Sequence, residues 1–317
     1  MKKKAFLGLD TSNYTTSLAL VSESGELIAN LKRPLTVKAG ERGLRQSDAC
    51  FLHIKNISDI MAEAKKILKS VDLLAVAVST RPRNVENSYM PCFLVGESIA
   101  EGIAATSGLP IYKFSHQCGH IMAAVFSSGA DSLLGGEFSA LHISGGTTEI
   151  LRVRGGERGF CAELVGGTAD LSAGQLIDRI GVHLGLSFPA GNELEKLALM
   201  NNQPIPKKKI PIKDLKINLS GIENVAKRLY EDTNNKPLVA DFVLSCVEDA
   251  ISALCNEYVL RFGSSSFLFA GGVMSNSIIK NKLKGKFDTY FAEPALSADN
   301  AVGIAELARR CYVSDNK

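Results

Sequence analysis

The sequence has no apolar run of membrane-spanning length. It also has no strong charge of one sign: 36 Lys and Arg stand against 33 Asp and Glu, and a net +3 does not by itself imply nucleic-acid binding. It has no CxxC pair. Its seven cysteines, Cys50, Cys92, Cys118, Cys161, Cys246, Cys255 and Cys311, are scattered and odd in number, which points to reduced thiols. Neither a GxxxxGK[ST] P-loop nor a GxGxxG fingerprint occurs, and this disfavours the commoner nucleotide-binding folds. The basic start MKKKAFLGLDTS is not a secretion signal, because Asp10 interrupts its apolar part too early. The expected location is therefore cytosolic. What remains is a chain of 317 residues, 45% apolar and 22% charged, long enough for two domains with a core each.

Two segments repeat each other at a constant offset. FLGLDTSNYTTSLALVSESGELIANL, residues 6–31, aligns with FSALHISGGTTEILRVRGGERGFCAE, residues 138–163. Ser12 lies over Ser144, Thr15 and Thr16 over Thr147 and Thr148, and Leu18 over Ile150. Each segment reads as strand, tight polar turn, strand, glycine-containing turn, strand. The first is followed by a helical pattern, IKNISDIMAEAKKILKS, and the strands LLAVAVST and LPIYKF. The second is followed by helices over roughly 172–185 and 239–261 and a strand in SFLFAGG. Two copies argue against a solenoid. They predict an α/β chain of two similar domains facing each other across a cleft, a layout that resembles the actin, sugar-kinase and heat-shock-ATPase superfamily.

Three turns follow apolar strands at the places where such a protein would bind phosphate: DTSNYTT at 10–16, SGGTT at 144–148 and AGGV at 270–273. Glycine permits positive φ and close backbone approach, and successive N–H groups in such turns form an anion nest. Hairpins also need glycine for their own sake. Taken together the three turns point to an adenine nucleotide or an adenylate, with Gly271 and Gly272 as phosphate contacts.

Of only five histidines, two stand four apart in FSHQCGHIMAAVF, after a serine suited to cap a helix. His116 and His120 would share one helical face and grip one ion. Capping and water binding by the two rings is the plainer alternative. Gln117 stands where a HExxH protease carries its general base, so peptide hydrolysis is a poor reading. Cys118 points off the shared face and is not a ligand. A third ligand is offered by Asp299 in ALSADNAVGIAELA, where a loop gives way to the last helix. Two imidazoles and a carboxylate leave coordination positions open, which suits Fe(II) or Zn(II) holding a substrate.

These residues, in order along nearly the whole chain, resemble one family, the TsaD/Kae-type threonylcarbamoyltransferases of tRNA modification. The resemblance runs through LGLDTS, HQCGH, LHISGGTTEIL, LVGGTADLSAGQLIDRIGVHLGLSFPAGNELEKLA, INLSGIEN, ADFVLSCVEDAISAL, AGGVMSNSIIKNKL and FAEPALSADNAVGIA. It implies that His116, His120 and Asp299 hold the metal. It implies that His142, Ile143, Ser144, Gly145 and Gly146, with Asp178, Gly191 and Asn276, bind substrate. Asp178 would accept from ribose hydroxyls, and Asn276 follows the turn beside which an adenosine would lie; a surface charge near Arg179 and an ordinary helix N-cap are the plainer roles of these two. The implied reaction moves a threonylcarbamoyl group from threonylcarbamoyl-adenylate, made by a separate enzyme, to the exocyclic amine of the adenosine 3′ of the tRNA anticodon. The implied partners are tRNA, a catalytically degenerate paralogue and an ATPase, with no membrane. The expected domains are 1–115, with a C-terminal helix over 299–312 packing back, and 116–298, carrying most substrate contacts.

The sequence departs from that family in three places. Its first turn is Asp10-Thr11-Ser12-Asn13-Tyr14-Thr15 where the family usually has Glu-Thr-Ser-Cys-Asp and a further acid. STRPRNVENSYMPCF, residues 79–93, replaces a glycine-proline-glycine turn, and Thr147 replaces the histidine of SGGHT. This is the pattern of a divergent paralogue with an altered acceptor or donor. Two other classes stay open: an ATP-dependent carbamoyl- or phosphotransferase or ATPase with Mg²⁺ on Asp10, and a non-catalytic scaffold. The basic stretch PKKKIPIKDLK, 206–216, reads as a solvated loop that could meet RNA phosphates, as could Arg81 and Arg83, but no interleaved aromatics support base stacking there.

Overall fold

The computed structural model describes residues 2–12, 14–36, 44–156, 159–263, 265–297 and 299–316. Asn13 of the first turn and Ala298 beside Asp299 lie outside them. The chain divides into two units, one of 1–131, 154–162 and 295–317, the other of 132–153 and 163–294.

The first unit is built on five strands, β1 (Lys3–Asp10), β2 (Thr15–Ser22), β3 (Leu27–Pro34), β4 (Val71–Arg81) and β5 (Ile111–Ser115), in the order β3-β2-β1-β4-β5. The β1–β2 and β2–β3 pairs are antiparallel; β4 runs parallel to β1 and β5 parallel to β4. Helices α1 (Gln46–Ser70), α2 (Phe93–Ser107) and α3 (His116–Ser128) follow or separate these strands. The chain ends in α9 (Pro294–Ser297) and α10 (Val302–Asp315). The period of two along a strand sends alternate residues to opposite faces. Leu7, Leu9, Leu18 and Leu20 pack with Ile57 and Ile60 of α1 and Ala100 of α2. Ala19 and Val21 pack on the other face with Val302 and Ala305 of α10. Because both faces are covered, β1 and β2 are buried almost throughout.

The second sheet joins β6 (Glu137–Ile143), β7 (Thr148–Gly156), β8 (Gly159–Thr168), β9 (Ile212–Lys213), β10 (Lys216–Ile217), β11 (Phe267–Ala270) and β12 (Thr289–Phe291), in the order β12-β11-β6-β7-β8-β10-β9. The run β8-β7-β6-β11-β12 repeats β3-β2-β1-β4-β5 strand for strand, so the offset read in the sequence is a repeat of topology. Helices α4 (Ala173–His183), α5 (Gly191–Leu199), α6 (Ser220–Thr233), α7 (Lys236–Phe262) and α8 (Ser277–Lys284) belong to this unit. Leu141, Ile143 and Ile150 of the sheet share a core with Ile177, Ile180, Val243 and Ile251 of α4 and α7. The mixed α/β architecture, with two sheets that share one topology, is the fold class that the sequence predicts.

The basic stretch is not wholly loop: β9 lies within it and β10 begins at its last residue, and both extend the sheet, with β10 pairing parallel to β8. Its apolar residues explain this. Leu215, and Ile217 just beyond the stretch, are buried in the second core, and Ile210 and Ile212 pack against it. Among the described residues, no helix is long and apolar enough to cross a membrane.

Candidate metal centre and adenylate pocket

The first cluster is assembled at the carboxyl ends of parallel strands, where open α/β sheets bind ligands. Asp10 ends β1, Ser79 lies near the end of β4, and Ser115 ends β5 and caps α3. The Ser115 hydroxyl accepts the Cys118 N–H at 3.2 Å, which starts the helix at His116. One turn on, His120 stands on the same face.

His116 Nε2 and His120 Nε2 are 2.9 Å apart, and Asp299 Oδ1 lies 3.1 Å from the second and 3.6 Å from the first. Among the described residues these three are the only group of histidine, cysteine or acidic side chains whose donor atoms converge, all within 4.8 Å of one another. Cys118 takes no part: its sulfur meets Asn84 Nδ2 at 3.2 Å and the Phe160 carbonyl at 3.5 Å. Burial pushes its thiol pKa up.

The ring of His116 is fixed from behind. Its Nδ1–H donates to Asp10 Oδ2 at 2.7 Å. Asp10 is itself held by the Ser12 N–H at 3.0 Å, the Ser12 hydroxyl at 3.1 Å and the Ser79 hydroxyl at 2.5 Å. At 1% exposure it is a buried carboxylate engaged on both oxygens. Burial works against its charge, yet His116 and the Ser79 hydrogen bond hold its pKa below the usual carboxylate value. Burial likewise opposes charge on His116, but Asp10 and then Asp299 hold that pKa above the ordinary histidine value. An outer carboxylate on a ligating histidine selects the tautomer that leaves Nε2 bare for a metal. The donor set therefore fits a small divalent ion of the Fe(II) or Zn(II) kind.

Asp299 is brought to the histidines by a close helix crossing. A Cβ on Gly303 of α10 would fall 1.9 Å from the Gly119 carbonyl oxygen of α3, so only glycine allows the two helices this approach. Asn300 braces the loop before α10, donating to the Leu296 carbonyl at 3.0 Å and accepting the Val302 N–H at 2.9 Å.

The loop of residues 79–93 packs against this cluster. The Pro82 carbonyl accepts the Gln117 N–H at 3.0 Å, and the Thr11 hydroxyl donates to the Cys92 carbonyl at 2.9 Å. Arg81 is engaged by Thr80 and Asn84.

The second cluster lies wholly in the other unit. Gly145, Asp178, Gly191, Gly272 and Asn276 line a cavity of about 340 Å³. His142, Ile143, Ser144, Gly146 and Gly271 do not line it. Gly271 serves packing: its Cβ would meet the Ile143 carbonyl oxygen at 2.2 Å, and its φ is +101°. The SGGTT turn is closed by the Ser144 N–H on the Thr147 carbonyl at 2.8 Å. It is tied to the start of α4, where the Ser172 hydroxyl donates to the Gly145 carbonyl at 2.8 Å. Asp178 Oδ1 accepts the Ala190 N–H at 2.8 Å, which orients the carboxylate at the cavity wall. Asn276 is a helix N-cap, accepting the Ile279 N–H at 3.1 Å, as well as a lining residue.

Sequence reasoning missed Gly174, Ile177, Phe188, Asn192 and Glu195 in this cavity, and Ser79 behind Asp10. Phe188 and Asn192 had a signal, since they flank Gly191 in SFPAGNE. Nothing local marked Ser79.

A family profile described as tRNA N6-adenosine threonylcarbamoyltransferase matches residues 36–306. Curated proteins of that name include one from Streptococcus suis, 29% identical over 332 residues, covering 100% of this chain and 95% of that protein. Another, from Clostridium beijerinckii, is 29% identical and covers 97% and 93%. Among solved structures, HypF of T. kodakarensis superimposes with a TM-score of 0.62 at 11% identity, covering 99% of this chain and 48% of that one. At that identity the likeness speaks for the fold alone.

Proposed function

The chain belongs to the tRNA N6-adenosine threonylcarbamoyltransferase family, and from that membership we propose that it transfers a threonylcarbamoyl group from threonylcarbamoyl-adenylate to the exocyclic amine of the adenosine beside the tRNA anticodon. The observation that carries this reading is the convergence of His116, His120 and Asp299 with Asp10 set behind the first ring. The cofactor in this reading is one divalent metal, Fe²⁺ or Zn²⁺; His116, His120 and Asp299 would hold it, and it would supply Lewis-acid polarisation of an oxygen of the activated donor.

The protein's own residues have distinct tasks in this reading. Asp10 keeps the proton on His116 Nδ1 and so keeps Nε2 a donor. The adenosine of the adenylate occupies the smaller cavity, where the Asp178 carboxylate accepts from a ribose hydroxyl. Gly145 and Gly272 give backbone close approach to its phosphate. The acceptor amine must come within about 3–3.5 Å of the activated carbonyl, so groups around the site govern transfer separately from binding. The alternative in which Asp10 holds Mg²⁺ for ATP chemistry has less support, because Ser12, Ser79 and His116 already engage both of its oxygens.

The partners in this reading are tRNA, a degenerate paralogue and an ATPase, and the site of action is the cytoplasm. The test is reconstitution of the metal-loaded chain with threonylcarbamoyl-adenylate, tRNA and the partner proteins of the same cell, followed by mass spectrometry of tRNA nucleosides. Modified adenosine is expected with the wild type and not with the His116→Ala, His120→Ala double variant. A metal-loaded wild type that binds no acyl-adenylate refutes the transferase reading. Rapid modification by the isolated chain refutes the need for partners.

A further inference from the structure

A second cavity, of about 670 Å³, opens between α4 and α6. It shares Gly145, Asp178 and Phe188 with the smaller one. Its other walls are Gln175, Arg179, Val182 and His183 of α4 and Glu223 and Lys227 of α6. No part of the reading given so far uses it.

Three features of this cavity go together. Phe188 exposes 75% of its surface and Val182 53%, an apolar face left in water beside a polar groove. Arg179 and Lys227 both pair with Glu223, at 3.2 and 2.6 Å, on side chains 56% and 38% exposed. The walls thus carry two cations, Arg179 and Lys227, and two carboxylates, Glu223 and Asp178, with the cations placed where a phosphate can exchange for Glu223. The shared carboxylate also restrains both long side chains, so a phosphate arriving there orders little that is not already ordered. An exposed ring for stacking beside paired cations is how single-stranded RNA is held.

The reaction supplies the rest of the argument. It joins two molecules that each carry an adenosine, the adenylate donor and the RNA acceptor. The donor's adenosine takes the smaller cavity, and a second base must then sit beside it for its amine to reach the activated carbonyl. We propose that the larger cavity receives the acceptor nucleoside of the RNA strand, its base on Phe188 and its flanking phosphates on Arg179 and Lys227. The common wall at Gly145 and Asp178 sets the two nucleosides side by side. This inference rests on the donor reading of the smaller cavity, and its test separates the two.

The probe is a synthetic RNA stem-loop with an unpaired adenosine at the acceptor position, titrated against the full chain alongside AMP. The double variant Arg179→Gln, Lys227→Gln should bind the stem-loop about tenfold more weakly and with a shallower dependence on salt. Its AMP affinity should match the wild type, since neither residue lines the smaller cavity. A wild-type chain irradiated with a stem-loop carrying 8-azidoadenosine at the acceptor position should crosslink within 175–188 or 223–227. Unchanged RNA affinity and salt dependence in the double variant, or crosslinks confined to other segments, overturns the proposal. Stem-loop binding that persists where the wild type binds no AMP overturns the donor reading instead.

Discussion

The carboxylate of Asp10 and the imidazole of His116 meet at 2.7 Å, although they stand 106 residues apart. The pair sets which ring nitrogen faces His120 and Asp299. Asp10→Asn removes the charge while keeping the shape, so affinity for Fe²⁺ or Zn²⁺ should fall about 10–100-fold. Competition with a chelator of known affinity measures it directly, without reference to turnover. Wild-type affinity in the variant would show that Asp10 has no part in presenting the ring.

Gly303→Ala tests the crossing that delivers Asp299. The added methyl would sit 1.9 Å from the Gly119 carbonyl oxygen and 2.6 Å from the Ala123 nitrogen, both backbone atoms that cannot swing aside. Overpacking of this kind costs about 1–3 kcal/mol. The separation of α10 from α3 should also draw Asp299 away from the histidines. The expected result is a lower melting temperature together with weaker metal binding. An unaltered melt with stoichiometric metal would mean that the helices tolerate the methyl.

These two positions show where sequence reading stops. The histidine pair was legible because a helix sets i and i+4 on one face and Ser115 announces the helix. The doubled hairpins were legible because strand alternation and turn glycines are local signals. Asp299 could be picked out by its place before the last helix. No local pattern ties Asp10 to His116, or Gly119 to Gly303; those contacts exist only once strand order and helix crossing are set. The stretch 206–216 misled because its lysines masked the apolar residues that anchor β9 and β10. Phe188 was passed over for a related reason, since its importance comes from the two cavities it separates.

Gly145→Val probes the adenylate pocket. A Cβ on Gly145 meets nothing within 4 Å, so the fold should accept the substitution. The branched side chain would stand instead at the cavity wall, where backbone is to approach phosphate. Calorimetry should show AMP and ATP affinity reduced by about tenfold or more, or roughly 1.4 kcal/mol, with the melting temperature little changed. Equal affinity in the two proteins would remove the SGGTT turn from nucleotide binding.

The last expectation concerns His53, which is fully buried on α1 with Nδ1 2.8 Å from the Thr16 hydroxyl. Burial pushes its pKa from 6.5 to about 4, against the opposing pull of the Asp10 charge. Its Nε2 is buried without a hydrogen-bond partner, so a second ring proton would have no acceptor. The sign follows from proton counting. Between pH 6.5 and about 4 the unfolded chain holds a proton on this ring that the folded chain does not. Stability therefore rises with pH across that window and is lost as pH falls through it. By proton counting, the effect between pH 7 and pH 5 is on the order of 1–2 kcal/mol. His116 titrates with the opposite sign when metal-free, because its folded pKa is raised. The comparison that isolates His53 is accordingly wild type against His53→Asn, both metal-free, in urea at the two pH values. The variant should lose less stability on acidification than the wild type. Equal losses in the two proteins would mean that the ring takes up its proton without cost to the fold.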